Sequence, residues 1–253
     1  MEEHLNRLKY RAALLASKTI GWMSDKSRTH RGSRVLMFHD VSGHTVSNDI
    51  YSVPRRLFES QVEHVVTWAT SQGRQFVELA VPPADGIAWT FDDGYRSSLA
   101  IVAPLFSTLK IPLCVFVSRQ YVESGDSRYL SRSEVIELSS YPNITLGTHG
   151  VSHRRLTELN PSELRHELVE SREWLEDLIG QSVNSLSYPH GASDGRVVQE
   201  VAAAGYVLAA GSSIGTYRDI RQRFQIPRID IWSLDSPSTV VSKLSGRWDA
   251  LLK

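Results

Sequence analysis

The stretch that decides the fold is IAWTFDDGY, residues 87–95. Its first five residues are mostly apolar on both faces, which is typical of a parallel strand covered by helices. Two carboxylates, Asp92 and Asp93, follow where the strand ends, and Gly94 favours a turn there. The stretch therefore predicts a buried strand that delivers acidic side chains to the loop edge of a sheet.

Similar apolar runs and helical patterns alternate along the rest of the chain, which predicts βαβ units and an α/β fold. Seven strands in all favour a barrel, with an open sheet as the alternative. The other predicted strands are 35–39, 113–117, 144–148, 183–188, 206–210 and 225–231; the helices are 55–72, 97–109, 131–140, 161–179, 194–204 and 237–251. The strongest helix begins after Asn160, with Pro161 in its first turn and Glu163 completing a capping box, and it ends at Gly180.

The first 33 residues form a separate segment in this interpretation, and the barrel domain spans 34–253. In the first segment, apolar residues recur at helical spacing between basic ones, which predicts an amphipathic helix followed by a polar linker. We expect the helix to pack on its own domain, with peripheral membrane or partner contact as the alternative. Its apolar run is too short for a secretory core, so we expect a cytoplasmic protein, with the inner membrane face as a further option.

Composition excludes several classes of protein. The chain has 28 basic and 28 acidic residues, and this neutrality argues against nucleic-acid binding. A single cysteine, Cys114, excludes an internal disulfide framework and a multi-cysteine zinc site.

Four predicted strand ends carry acids or histidines, namely His39-Asp40, Asp92-Asp93, Thr148-His149 and Pro189-His190. His149 and His153 are four apart, as they would be on one face of a helical turn, and with Asp93 they make a two-histidine, one-carboxylate set. Three protein ligands with an open position are typical of catalytic zinc, and iron(II) is compatible with the same donors. Taken alone, the aspartate doublet is as well explained by helix capping, and the histidine spacing by chance.

Three motifs resemble those of the polysaccharide deacetylases, the NodB-homology or carbohydrate esterase family 4 proteins. They are TFDDGY at 90–95, THGVSH at 148–153 and SYPHG at 187–191, and the likeness spans about 34–231. The resemblance implies a distorted (β/α)7 barrel, metal ligation by Asp93, His149 and His153, and Asp92 as general base. It also implies zinc-dependent removal of an N-acetyl group from a poly-, oligo- or lipid-linked saccharide. The form of the third motif resembles a branch that acts on exopolysaccharides.

The chain departs from the family pattern at three positions. The family often has Ser or Thr where this chain has Gly150, and it commonly has arginine at the place of Ser187 and tyrosine at the place of His190. The missing arginine leaves the orientation of Asp92 open, and Arg228 is a candidate substitute, with a structural ion pair as the alternative. The backbone amide of His190 matches the family's oxyanion donor. Tyr95 is a candidate for stacking on a sugar ring, and core packing is its alternative.

The general acid is the last open role. His190 is the last histidine of the chain, so no carboxyl-terminal histidine is available. A branch that includes the poly-N-acetylglucosamine deacetylases supplies this residue from an early strand, and VLMFHD at 35–40 resembles that element. We therefore expect His39 to be the acid, supported by Asp40 or Asp230, with His190 as its competitor. A deacylase of a lipid- or nucleotide-linked sugar, an amidase acting on a non-sugar C–N bond and a non-catalytic carbohydrate-binding barrel are the alternative functions.

Overall fold

The computed structural model describes residues 32–43, 49–80 and 84–249. Its strands are β1 Arg34–Phe38, β2 Asp40–Ser42, β3 Ser52–Pro54, β4 Gln75–Phe76, β5 Gly86–Phe91, β6 Leu113–Val117, β7 Ile144–Thr148, β8 Ser185–Ser187, β9 Leu208–Ala210 and β10 Ile229–Asp230. The main sheet is parallel and follows the order β10-β1-β5-β6-β7-β8-β9, with β4 beside β5, while β2 and β3 pair separately. This curled sheet forms a half-barrel.

The α-helices are α1 Arg55–Ser71, α2 Ala103–Leu109, α3 Arg119–Glu123, α4 Arg132–Ser139, α5 Pro161–Ile179, α6 Gly195–Ala203 and α7 Pro237–Leu244. A π-helical turn, Ser98–Val102, leads directly into α2. None of the described helices is long and apolar enough to span a bilayer.

Alternate residues of the strands pack into two different cores, because successive side chains of a strand point to opposite faces. Leu36, Phe38, Trp89 and Phe91 pack with apolar residues of the surrounding helices in the larger core. The opposite face carries Val35, Ala88, Cys114, Phe116, Leu208 and Ala210, which cluster together in a smaller core. The strands are thus buried on both faces, as their sequences predict.

Helix α5 has the predicted bounds because its ends are specified locally. The side chain of Asn160 accepts hydrogen bonds from the backbone of Ser162 and Glu163, both at 3.0 Å, and the carboxylate of Glu163 accepts one from the amide of Asn160. Gly180 ends the helix with φ 67°, a left-handed conformation that costs glycine little.

The prediction of an α/β fold with seven main strands is confirmed, while full closure of the barrel stays a prediction. The last strand is shorter than predicted, and the last helix ends at Leu244 instead of residue 251. The short elements β2, β3, β4 and α3 were not predicted. The N-terminal helix and its proposed membrane contact lie outside the described residues.

Strand register places the candidate side chains at one edge of the sheet. Phe38 pairs with Phe91, Phe91 with Val115, and Val117 with Thr148, so β1 and β5 end at one level, and β6 and β7 end two residues farther along the same edge. The residues that follow these strands include His39, Asp92 and His149. Loops at the carboxyl ends of parallel strands form the active site in barrels of this kind.

Candidate metal centre and active site

Asp93, His149 and His153 converge on one point. Each offers a ligand atom, and these three atoms all lie within 4.8 Å of one another. Oδ1 of Asp93 lies 3.3 Å from Nε2 of His149 and 3.1 Å from Nε2 of His153. This oxygen is buried and has no regular hydrogen-bond partner within the described part of the chain. A divalent cation would satisfy it, so the donor set fits a metal site.

The two histidines do not lie on a helical turn, so that part of the sequence interpretation is wrong. They lie on an irregular loop after β7, in which Gly150 has φ 77° and His153 has φ 56°. Asp93 and His190 also have left-handed backbones, with φ 72° and 58°. Non-glycine residues rarely adopt this conformation, and such strained positions cluster at functional sites.

The ring of His149 is fixed by a hydrogen bond on its far side. Nδ1 lies 2.8 Å from the carbonyl oxygen of Ser187, so this nitrogen carries the proton and donates. Nε2 is therefore the atom presented to Asp93. Histidines that bind a metal through one ring nitrogen commonly donate a hydrogen bond from the other, as His149 does here. Burial lowers the pKa of His149, but Asp92 and Asp93 outweigh burial and raise it.

Asp92 is held by Arg228 in a buried, two-pronged ion pair. Nη1 lies 2.7 Å from Oδ1 and Nη2 lies 2.7 Å from Oδ2. The hydroxyl of Ser187 donates to the same Oδ2 at 2.9 Å and accepts from Nη2 at 2.7 Å. Arg228, from the last strand region, and Ser187 thus surround the carboxylate of Asp92. Ser187 stands where the family commonly has an arginine.

This surrounding decides the charge of Asp92. Burial by itself would raise the pKa of this carboxyl, but Arg228 and His149 bring it down to about 2. The remaining donors of Arg228 go to the hydroxyl of Thr90 at 3.1 Å and the carbonyl of Gly211 at 2.7 Å. The donors of Arg228 are thus engaged inside the protein, and Arg228 orients Asp92, as expected of a substitute for the missing arginine.

His39 and Asp230 lie together in the cleft beside this centre. Nδ1 of His39 and Oδ1 of Asp230 are both buried, and neither has a hydrogen-bond partner among the described residues. Burial raises the pKa of Asp230, and the nearby His39 opposes this rise. The other candidate support, Asp40, is engaged by the hydroxyls of Ser52 at 2.6 Å and Ser97 at 2.8 Å. The geometry therefore favours Asp230 over Asp40 as the neighbour of His39.

The cleft has a volume of about 370 Å³. Its lining includes the predicted His39, Asp92, Asp93, Tyr95, His149, His153, His190, Arg228 and Asp230, and also Met37, Asp49, Tyr51, Arg155, Tyr188, Gly191 and Ser212. A larger groove of about 790 Å³ shares Gly191 and Ser212 with it and is otherwise lined by serine, glutamine, aspartate and arginine side chains. The sequence therefore located the cleft but missed part of its wall.

His190 lies beside the candidate metal ligands at the rim of the cleft. Its ring centroid is 4.7 Å from that of His153, and its Nε2 is 3.2 Å from the carbonyl oxygen of His153. Burial and the neighbouring His153 lower its pKa. A histidine with a lowered pKa is mostly neutral near pH 7, which makes His190 a poorer proton donor.

Tyr95 lines the cleft and also belongs to an aromatic group. Its ring lies 4.7 Å from that of Tyr129, which stacks at 4.4 Å on Tyr121, and Tyr121 contacts the ring of His153 at 5.2 Å. Burial and Asp93 raise the pKa of Tyr95, so its hydroxyl stays protonated. Tyr188 also borders the cleft, but it is fully buried, packs in a core cluster and donates to the carbonyl of Phe224 at 2.7 Å.

Glu167 is a site residue that the sequence reasoning missed. It is 4% exposed, and its carboxylate contacts the loop that joins the two histidine ligands. The available signal was its position, since Glu167 falls between Leu164 and Leu168 on the apolar face of α5. A charged side chain on a buried helical face calls for a specific partner.

Comparison with known proteins agrees with this geometry. The chain matches the family described as polysaccharide deacetylase over residues 80–209, just over half of its 253 residues. It is 20% identical over 207 residues to YxkH of Bacillus subtilis (strain 168), a protein named for that family, and the match covers 78% of this chain and 70% of YxkH.

Two solved structures share the fold. Streptococcus pyogenes deacetylase PplD in complex with acetate has a TM-score of 0.72 at 20% identity, covering 84% of this chain and 97% of PplD. IcaB from Ammonifex degensii has a TM-score of 0.69 at 19% identity, covering 87% of this chain and 98% of IcaB. At these identities the likeness establishes the fold.

Proposed function

The chain belongs to the polysaccharide deacetylase family, and from this premise we propose that it hydrolyses the N-acetyl group of an amino sugar within a saccharide and releases acetate. The observation that carries the proposal is the convergence of Asp93, His149 and His153 beside the ionised Asp92. A protein that only bound saccharide would need neither a three-donor centre nor a buried carboxylate next to it.

Asp93, His149 and His153 would hold the metal, and we propose Zn²⁺ with iron(II) as the alternative. A cation with three protein ligands and an open position lowers the pKa of a water and polarises a carbonyl group. The hydrogen bond from His149 to the carbonyl oxygen of Ser187 fixes the orientation of one ligand ring, and the left-handed backbone of Asp93 sets the direction of the other ligand atom. The geometry of the centre is therefore set by this chain's own residues.

Asp92 is the proposed general base. Arg228 keeps its carboxylate ionised and fixed in orientation, so Asp92 is in the form that accepts a proton. A cation in the neighbouring site would lower the pKa of a water molecule, which would make proton transfer to this carboxylate easier.

His39 is the proposed general acid, donating a proton to the departing nitrogen so that the amine leaves neutral. Asp230, which lines the same cleft, would orient the imidazole. The ring of Tyr51 lies 4.7 Å from that of His39 and limits how it can turn. The position of His39 at the end of β1 supports its place in the branch with an early-strand acid. The backbone amide of His190 is proposed to contact the acetyl oxygen. The ring of Tyr95 is proposed to contact the sugar.

His39→Ala is expected to lower the rate of acetate release by about 10²–10⁴-fold, which is the usual size of general acid–base catalysis. Metal content should stay unchanged, because His39 is not one of the three ligands. The matched control is His64→Ala, which removes an exposed imidazole from α1 and should leave the rate unchanged. Full activity in His39→Ala would transfer the acid role to His190 or to solvent.

Acetate release tests the proposed function directly. Purified protein loaded with Zn²⁺ is assayed on N-acetylglucosamine oligomers, on lipid-linked N-acetylated saccharides and on simple N-acetyl amides without a sugar. Release from either saccharide is expected, and the polar groove that adjoins the cleft supports a substrate longer than one sugar. Release only from the non-sugar amides would favour the amidase alternative. Stoichiometric metal without release from any substrate would favour a binding protein.

A further inference from the structure

Two of the three proposed metal ligands lie on a loop without regular secondary structure, residues 149–153. Backbone polar groups of a buried loop need partners from elsewhere in the protein. From one side, the first residues of α3 supply donors: the amide of Arg119 lies 3.2 Å from the carbonyl oxygen of Gly150, and that of Gln120 lies 2.8 Å from that of Val151. Two carbonyl groups of the loop, those of Gly150 and Val151, are thereby satisfied.

Two amide groups of the same loop, those of Val151 and Ser152, are satisfied by one side chain. Oε2 of Glu167 accepts from the backbone N–H of Val151 at 2.7 Å and of Ser152 at 3.0 Å. Oε1 accepts a short hydrogen bond from the hydroxyl of Ser152. Glu167 takes part in no ion pair among the described residues, so its acceptor capacity is directed at this loop.

Gly150 completes the arrangement. A side chain here would place its Cβ 2.9 Å from Oε2 of Glu167, and the backbone has φ 77°. The polar residue that often stands at this motif position in the family would therefore compete with Glu167 for the same space. Glycine leaves that space to the carboxylate, and the bracing of the loop comes from α5 instead of from within the motif.

We infer that Glu167 is a positioning residue for the metal centre, which sets the geometry of His149 and His153 by holding the segment between them. This inference rests on the proposed function, because it takes the three-donor cluster to be a metal site. According to this inference, Glu167 of α5, which lies outside the three sequence motifs, controls the affinity for the metal. Outer-shell partners of metal ligands commonly contribute 10–100-fold to affinity.

Glu167→Gln tests the inference. The amide keeps the size of the side chain but replaces one acceptor oxygen by a donor, so the loop loses at least one hydrogen bond. Dissociation constants for Zn²⁺ are measured by competition with a chelating dye, and the visible absorption of the Co²⁺-loaded protein reports ligand geometry. We expect Zn²⁺ affinity to fall by about 10–100-fold and the Co²⁺ spectrum to change.

Glu173→Gln is the matched control, because Glu173 lies exposed on the same helix and the substitution changes the charge equally. It should leave both readouts at their wild-type values. Ser152→Ala removes only the hydroxyl donor to Glu167, so it should cause a smaller loss of Zn²⁺ affinity than Glu167→Gln. It provides the test if Glu167→Gln fails to fold. Wild-type affinity and an unaltered Co²⁺ spectrum in both Glu167→Gln and Ser152→Ala would overturn the inference alone. A wild-type protein that binds neither ion would overturn the proposed function as well.

Discussion

His149→Ala is expected to leave the purified protein without a retained divalent cation and to lower acetate release by at least about 10³-fold. Only two of the three donors would remain, and catalytic zinc sites use three protein ligands. A bound cation contributes several kcal/mol of stabilisation to developing charge, and each 1.36 kcal/mol is a factor of ten in rate. Metal content and acetate release, measured on the same sample, check this prediction. Asp93→Ala and His153→Ala should behave in the same way.

The matched control for this loss is His166→Ala, since His166 is an exposed imidazole on α5. Its metal content and activity should equal those of the wild type. If His149→Ala retained one equivalent of metal at wild-type affinity, the cation would lie elsewhere and the proposed centre would be wrong. Loss of metal with full retention of activity would show that the hydrolysis does not depend on this centre.

Asp92→Asn is expected to keep the cation and to lose at least about 100-fold in rate, because the amide cannot accept the proton that a carboxylate takes. The substitution also leaves the buried guanidinium of Arg228 without its anionic partner. Removing one member of a buried ion pair commonly costs about 3–5 kcal/mol, so the free energy of unfolding should fall as well. Denaturant unfolding, metal content and acetate release measured together separate the two effects.

Ser187→Ala is the comparison for Asp92→Asn. It removes one hydrogen bond to the same carboxylate but leaves the base and its arginine in place. A single hydrogen bond to a charged group contributes about 1.5–3 kcal/mol, so its effect on unfolding should be smaller. Near-native turnover in Asp92→Asn would assign the base to another residue.

Local signals in the sequence predicted the best-defined elements of the fold. The bounds of α5 followed from its capping box and its closing glycine, which are interactions between near neighbours. The central residues of the strands were predicted from runs of residues that are apolar on both faces. The short strands β2 and β3 and the five-residue α3 escaped prediction because contacts with distant segments define them, and their own sequences carry little periodicity.

The candidate site was predictable wherever it depended on strand ends. His39, Asp92 and His149 each follow a parallel strand, and parallel strands of one sheet deliver their carboxyl ends to the same edge. The choice between Asp40 and Asp230 was not predictable, because both lie near strand ends and only the hydroxyls of Ser52 and Ser97 distinguish them.

The backbone of the ligand loop was also beyond sequence reasoning. A spacing of four suits a helical turn, but it is equally met by a loop with left-handed residues when outside groups hold it. Here those groups are the start of α3 and the carboxylate of Glu167. Partners so remote in the sequence leave no local pattern.

The ion pair between Asp92 and Arg228 joins residues that are 136 positions apart. Contacts between residues so far apart in the sequence form slowly, because the entropic cost of closing the loop comes before the contact can stabilise the chain. During synthesis on a ribosome, the carboxylate is made long before its arginine, and until then it is an anion without its counter-charge. The proposed base consequently gains its arginine partner only after the chain has extended past residue 228.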